Sequence, residues 1–270
     1  MHRLIFILLL INSPSVAQSV STRLGARAAG MGNAAFTLTD PSSLFHNVAS
    51  LGFLTDPSVF FSYEILPALP GADRRAAAVN WPLSFGTLAA GAFRFGDDLY
   101  SEQFLTAGFS HRIDHTALGI KTNFLQYRAD GFGPQTALTI DVAGLTQLTP
   151  AWTIGAGIFN VGQAGLTPED PLPVVFVAAT SWKSPEGAML VAEAEKQLDM
   201  PLQVKAGLEV TLFKKMFARA GIGTNPLILS GGVGAKTTRL QFDFASSYQS
   251  VLGLSYQASA TYRIQKNKKS

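Results

Sequence analysis

His111, Asp114 and His115 lie close together in the chain, and side chains of these types ligate metals or exchange protons. The stretch reads as a short solvated turn between two strands, which outweighs a metal pair or an acid–base dyad. Gly30-Met31-Gly32 carries part of the glycine spacing of a phosphate loop. No strand of the dinucleotide-binding kind precedes it, so a tight turn or close packing explains it better. The remaining candidates are charges spread along the chain: Lys121, Asp141, Glu193, Glu195, Lys205, Glu209, Arg219, Arg239, Asp243 and Arg263. Both signs occur in similar numbers. Charges shut inside a protein must be paired, so this set suits a structural ion-pair network, with a polar route for solutes as its second use. These residues imply no catalytic group, metal site or cofactor.

The elements that place those charges are strands. From Pro57 to Ile264 one unit recurs, a strand of roughly ten residues with apolar side chains on alternate positions. Leu202, Val204, Ala206, Leu208 and Val210 share one face, while Gln203, Lys205, Gly207, Glu209 and Thr211 share the other. Met216, Ala218, Ala220 and Ile222 likewise oppose Phe217, Arg219, Gly221 and Gly223. Leu240, Phe242 and Phe244 oppose Arg239, Gln241 and Asp243, and all ten charges project inward on this phasing. A charge facing lipid at mid-bilayer costs about 2–4 kcal/mol, so hydrocarbon enforces that order. A soluble antiparallel sandwich also alternates, but its polar face is usually richer in Lys and Glu than the Gly, Ser, Thr and Gln phase seen here.

Strands are expected to begin near Pro57, Arg74, Gly86, Glu102, His115, Gln135, Ala151, Leu172, Gly187, Pro201, Lys215, Leu227, Thr238 and Leu252. The count is about fourteen, with about twelve as the alternative. Links at 66–72, 96–101, 129–134 and 162–171 are long, whereas those at 82–84, 114, 149–150 and 184–186 are short. The predicted fold is all-β: a transmembrane antiparallel up-and-down barrel with long outer loops and tight periplasmic turns. Gly86–Phe95 and Leu172–Trp182 show no polar phase, so their facing stays open. Tyr63, Trp81, Tyr100, Trp152, Trp182, Tyr248, Tyr256 and Tyr262 fall near strand ends, where rings settle at the headgroup level.

Composition agrees. The chain has 270 residues, 47% hydrophobic but only 14% charged, against about 25% charged in an average soluble domain. Beyond the N-terminus no apolar run approaches the ~20 residues of a membrane-spanning helix. The net charge is +3 with the basic residues scattered, which leaves no nucleic-acid footprint. Zero cysteines exclude disulfides and thiolate metal sites. Residues 1–17 read as a secretory signal: His2 and Arg3 as the basic start, Leu4–Ile11 as the apolar core, and Ser15-Val16-Ala17 before cleavage after Ala17. Signal and barrel together place the chain in the outer membrane of a Gram-negative bacterium, with membrane lipid as a partner.

Residues 18–56 differ in composition and read as a hatch or plug, ahead of the barrel at 57–264 and a basic tail at 265–270. Asp40 is the expected N-cap and Pro41 the first residue of one short helix carrying Leu44, Phe45 and Val48 and stopping near Gly52. The string Gly25-Ala26-Arg27-Ala28-Ala29-Gly30-Met31-Gly32-Asn33-Ala34, followed by Asp40-Pro41-Ser42-Ser43-Leu44-Phe45-His46-Asn47, resembles the N-terminal signature of PorV/PorQ-like proteins. Those are relatives of the FadL transporters of hydrophobic compounds. Gly253-Leu254-Ser255-Tyr256-Gln257 through Ile264 is similar to the closing strand of the same family in the Bacteroidetes. Where that family has Asn-Pro-Ala-Gly-Leu, this chain has Asn47-Val48-Ala49-Ser50-Leu51. The resemblance implies a non-enzymatic outer-membrane barrel with a hatch, built here from Gly30, Gly32, Asp40, Pro41, Leu44, Phe45 and Asn47. It further implies a part in type IX secretion or surface attachment, with secretion components or secreted cargo as partners. The alternative is a FadL-like channel for a small hydrophobic molecule.

Overall fold

Alternating side chains demand a structure with two unlike faces, and the chain satisfies this by closing a sheet on itself. The computed structural model describes residues 24–167, 170–198 and 200–264. The expected signal peptide, the first few hatch residues and the basic tail lie outside the described residues. The strands are β1 (Ser58–Ile65), β2 (Arg74–Leu83), β3 (Gly86–Gly96), β4 (Tyr100–Ile113), β5 (Thr116–Ala129), β6 (Gln135–Gln147), β7 (Trp152–Phe159), β8 (Gly165–Thr167), β9 (Asp170–Pro171), β10 (Val175–Lys183), β11 (Ala188–Gln197), β12 (Gln203–Leu212), β13 (Met216–Gly223), β14 (Ile228–Lys236), β15 (Leu240–Gln249) and β16 (Gly253–Arg263). β8 and β9 pair only with each other, inside the loop between β7 and β10. The other 14 pair in chain order as neighbours, all antiparallel, and β1 closes the ring against β16. No barrel strand is left with an unpaired edge. The expected count of fourteen holds, with each start within a few residues of its predicted place.

Exposure follows the pleat. On β12, Val204 and Leu208 are 47% and 37% exposed, while Lys205 and Glu209 are 5% and 7% exposed. The outer face carries Phe61, Leu105, Leu118, Leu138, Ile222 and Phe242 in contact with the surroundings. An apolar exterior around a partly ionic interior is the reverse of a water-soluble sandwich and matches a lipid environment. Trp152 and Trp182 face each other across β7 and β10 near the end of the barrel that holds the tight turns.

The structure settles the two undecided segments. Thr87, Ala89 and Phe93 of β3 are buried, and Leu88, Ala90, Ala92 and Arg94 face outward. On β10, Val177 and Ser181 are buried while Phe176 and Ala178 face outward. Both strands lacked a polar phase because their inward residues are themselves largely apolar.

The hatch also differs from its expected form. A short helix α1 (Ala26–Gly30) comes first, followed by two separate 3-10 turns, Pro41–Phe45 and Val48–Phe53, instead of one helix to Gly52. Asp40 does cap the first turn, with Pro41 at its start. Asn47 breaks the run by capping the second: its side chain accepts from the Ala49 amide at 2.9 Å and donates to the Phe36 carbonyl at 2.8 Å. A local side-chain bond of this kind competes with helix continuation.

Candidate functional site

The hatch fills the barrel between two unlike walls, and each wall follows from the inward phase of its strands. One wall is ionic. Arg27 of α1 grips Glu209 of β12 with a two-pronged contact, Nε at 2.8 Å and Nη2 at 2.6 Å, and also reaches Asp40 at 3.0 Å. Arg219 of β13 binds the same Glu209 at 2.6 Å and Asp243 of β15 at 2.8 Å. Two cations thus share one carboxylate, and one of the cations belongs to the hatch. Nearby, Lys205 pairs with Glu193 at 3.4 Å and with Glu195. Glu193 accepts from the backbone amides of Ala35 and Phe36, each at 3.0 Å. Fork-shaped and charge-assisted contacts are the strong class of hydrogen bond, so this wall anchors the hatch.

The predicted lumen charges therefore divide into groups. Glu193, Glu195, Lys205, Glu209, Arg219 and Asp243 come together on the ionic wall. Lys121 and Asp141 form a separate buried pair at 3.1 Å. Asp141 also accepts from the Asn160 amide at 2.9 Å, and Asn160 holds the following loop through the carbonyls of Ala164 and Leu172. Arg263 is half-buried and donates to Gln241 at 3.2 Å. Arg239 corrects the expectation: it is exposed in the turn before β15, because that strand begins at Leu240, two residues after its expected start at Thr238.

Glycine makes the seat for the hatch. Gly32 has φ +67°, and a Cβ there would lie 2.7 Å from the Ile222 amide nitrogen. At Gly221 of β13 a Cβ would run into the Gly32 amide itself. Gly30 faces Gly232 in the same way, its would-be Cβ 3.2 Å from that residue's Cα. Backbone lies on backbone here, which only residues without side chains permit. Sequence reasoning singled out Gly30 and Gly32 but missed Gly221 and Gly232. Their signal was the glycines placed in the inward phase of β13 and β14.

The second wall is aromatic. Leu44, Phe45 and Val48 of the hatch pack among Phe60, Phe93, Phe104 and Leu145. Phe93 stacks on Phe104 with centroids 4.6 Å apart, and Phe104 meets Phe45 edge-on at 6.3 Å. Phe36 reaches Phe159 at 6.1 Å. Beyond the hatch, Phe95, Leu125 and Val175 continue this surface toward the loop end, each only partly buried. Most of the wall lies on strands β3, β4, β5, β7 and β10, roughly opposite the ionic wall.

Asp40 couples the hatch to pH. Burial would raise its carboxyl, but the Arg27 guanidinium and Ser42 outweigh burial and hold it below the ordinary value of 3.8. A depressed carboxylate stabilises the folded state in full above the unfolded value and ceases to do so as pH falls through the folded one. Hydrogen exchange in residues 24–53 is therefore expected to stay slow from pH ~7 to ~5 and to accelerate only below pH ~4. In Asp40→Asn the same exchange should already be fast at neutral pH. Equal protection in the two proteins at pH ~7 would remove Asp40 from the anchor.

Other candidates do not converge. His111 and His115 are exposed beside the β4–β5 turn, and His111 Nδ1 lies 2.8 Å from the Phe85 carbonyl oxygen. Asp114 has φ +51° and forms the turn itself. Among the described residues no group of three or more His, Asp or Glu could hold a metal ion.

Likenesses to known proteins lie in architecture. No family model matches the chain, and no curated protein matches it. The solved CymD monoaromatic hydrocarbon channel superposes with a TM-score of 0.71 at 12% identity, over 92% of this chain and 99% of that one. The toluene transporter TbuX of Ralstonia pickettii gives 0.63 at 14% identity, over 91% and 100%. A FadL homologue of Pseudomonas aeruginosa gives 0.64 at 12%, over 90% and 98%. At these identities the shared property is the fold alone, a closed antiparallel barrel of the same architecture. The narrower PorV/PorQ resemblance gains nothing from them.

Proposed function

We propose that this chain is a plugged channel for small hydrophobic molecules in the outer membrane of a Gram-negative bacterium, and not an enzyme. The observation that carries the reading is the aromatic wall, a largely apolar strip interrupted by the Lys121–Asp141 pair and by Arg74 over Phe95, inside a barrel whose opposite wall is ionic. An apolar solute entering from the loop end would meet Phe95 and Leu125 first, then Phe93 and Phe104 above the hatch. Burying its surface there gains about 25 cal/mol per Å², and contact between aromatic rings adds about 0.5–1.5 kcal/mol. The likeness to channels named for hydrocarbons and toluene supports this reading, and none of those likenesses favours a role in protein secretion. Phe45 stands between that strip and the turn end, so passage requires the hatch to shift.

The test is uptake of labelled toluene by cells carrying or lacking the protein, with a long-chain fatty acid as a second probe. Phe104→Asp should cut uptake about tenfold, because a charge on the strip costs the solute its apolar contact. Heat-modifiability on gels would verify that the variant barrel folds. Uptake that ignores both the deletion and Phe104→Asp would overturn the reading, and lost secretion of cargo in the deletion strain would replace it.

A further inference from the structure

Some charges near the strand ends, Arg128 and Lys196 among them, break the rule that charges turn inward, and two of these are arginines on neighbouring strands. Arg75 of β2 and Arg94 of β3 lie in the outward phase near the loop end and are exposed. They are direct cross-strand partners. Like charges placed opposite each other repel, so the arrangement calls for an anion between them. The protein supplies little. Asp73 stands 3.8 Å from Arg75 and is partly exposed, and among the described residues no acid pairs with Arg94. Arg75 is steadied by the Tyr63 ring, 5.7 Å from its guanidinium carbon.

Toward the middle of the barrel, the next outward pair on the same strands is Ala77 opposite Ala92. Phe61 flanks Ala77 on β1, and Leu105 flanks Ala92 on β4. Small residues between large ones leave a trough in the outer surface. Together with the arginines it forms a groove of about 360 Å³. The groove is apolar along its floor and cationic at the end nearer the loops.

We propose that this groove holds a phosphorylated lipid of the outer leaflet, its phosphate between Arg75 and Arg94 and an acyl chain along Ala77 and Ala92. Guanidinium groups bind phosphate through paired N–H donors, and the trough gives the chain a surface to follow. The inference rests on the barrel standing in the outer membrane and is independent of what the lumen carries.

Native mass spectrometry of the purified barrel in non-ionic detergent tests it, with bis-phosphorylated lipid A as the probe. The wild-type protein should retain one lipid A, and Arg75→Gln or Arg94→Gln should each weaken binding about tenfold. Ala77→Phe with Ala92→Phe should weaken it with both arginines intact, because the trough is filled. Dephosphorylated lipid A should bind no better to wild type than to the double arginine variant. Equal binding of lipid A to wild type and the double variant would overturn the proposal, as would equal binding of the dephosphorylated lipid. Displacement by inorganic phosphate at the lipid's own concentration would reassign the pair to a free anion. Loss of toluene uptake with lipid retention intact would touch only the channel reading.

Discussion

Arg219→Met is expected to destabilise the barrel by about 3–5 kcal/mol, the usual consequence of removing one partner from a buried ion pair. The Arg219 side chain is 0% exposed and holds Glu209 at 2.6 Å and Asp243 at 2.8 Å. Without it, Glu209 keeps Arg27, but Asp243 is left with Gln241, whose amide donates at 2.9 Å. The lumen offers that carboxylate little water. Adding Asp243→Asn should recover part of the loss, since the stranded charge is then gone. Urea titration in detergent, read by heat-modifiability, measures both variants. Arg239→Gln is the control, expected within about 0.5 kcal/mol of wild type because that residue is exposed. Should Arg219→Met alter single-channel conductance and leave stability unchanged, the ionic wall is a selectivity filter and not an anchor.

Gly221→Val is expected to unseat the hatch and open the pore. A Cβ at that position would occupy the space of the Gly32 amide, and Gly32 itself lies with Ile222 within reach of its own backbone. One of the two must yield. The wall is hydrogen-bonded on both sides, β13 to β12 and to β14 along its whole length. The hatch is held by point contacts, among them the Gly32 amide donating to Ser230 at 2.8 Å. The hatch therefore yields. The expected result is a steady single-channel current and entry of bulky polar antibiotics, with gel mobility of the folded barrel unchanged. A variant that folds and stays electrically silent would show that the glycine contact does not seat the plug.

The barrel was legible in the sequence because lipid allows few exceptions. Every strand with a polar inward phase, such as β12, β13 and β15, announced its facing through where Lys205, Glu209, Arg219 and Asp243 fell. β3 and β10 hid theirs because an apolar side chain serves the lumen there as well as the membrane, and part of the aromatic wall lies on them. The candidate site was thus illegible for the physical reason that makes it interesting. Asp40 and Pro41 marked the start of the hatch turn correctly. The break at Asn47 was invisible, since its bond to the Phe36 carbonyl joins residues that only the folded hatch brings together. Pairing was foreseeable from the balance of signs, but the reach of Arg27 across to Glu209 required the third dimension.

The seam between β1 and β16 runs from Ser58 opposite Arg263 to Ile65 opposite Tyr256. The N-terminal segment sits inside a hoop fastened by the barrel's first and last strands, and the Ala26 amide donates to Ser259 on the last strand at 3.2 Å. Cargo threaded after fastening would have to pass the wall or squeeze in from one mouth. Shape thus leaves two orders of assembly: the stopper is swallowed while the hoop still gapes, or it enters a closed hoop through a mouth.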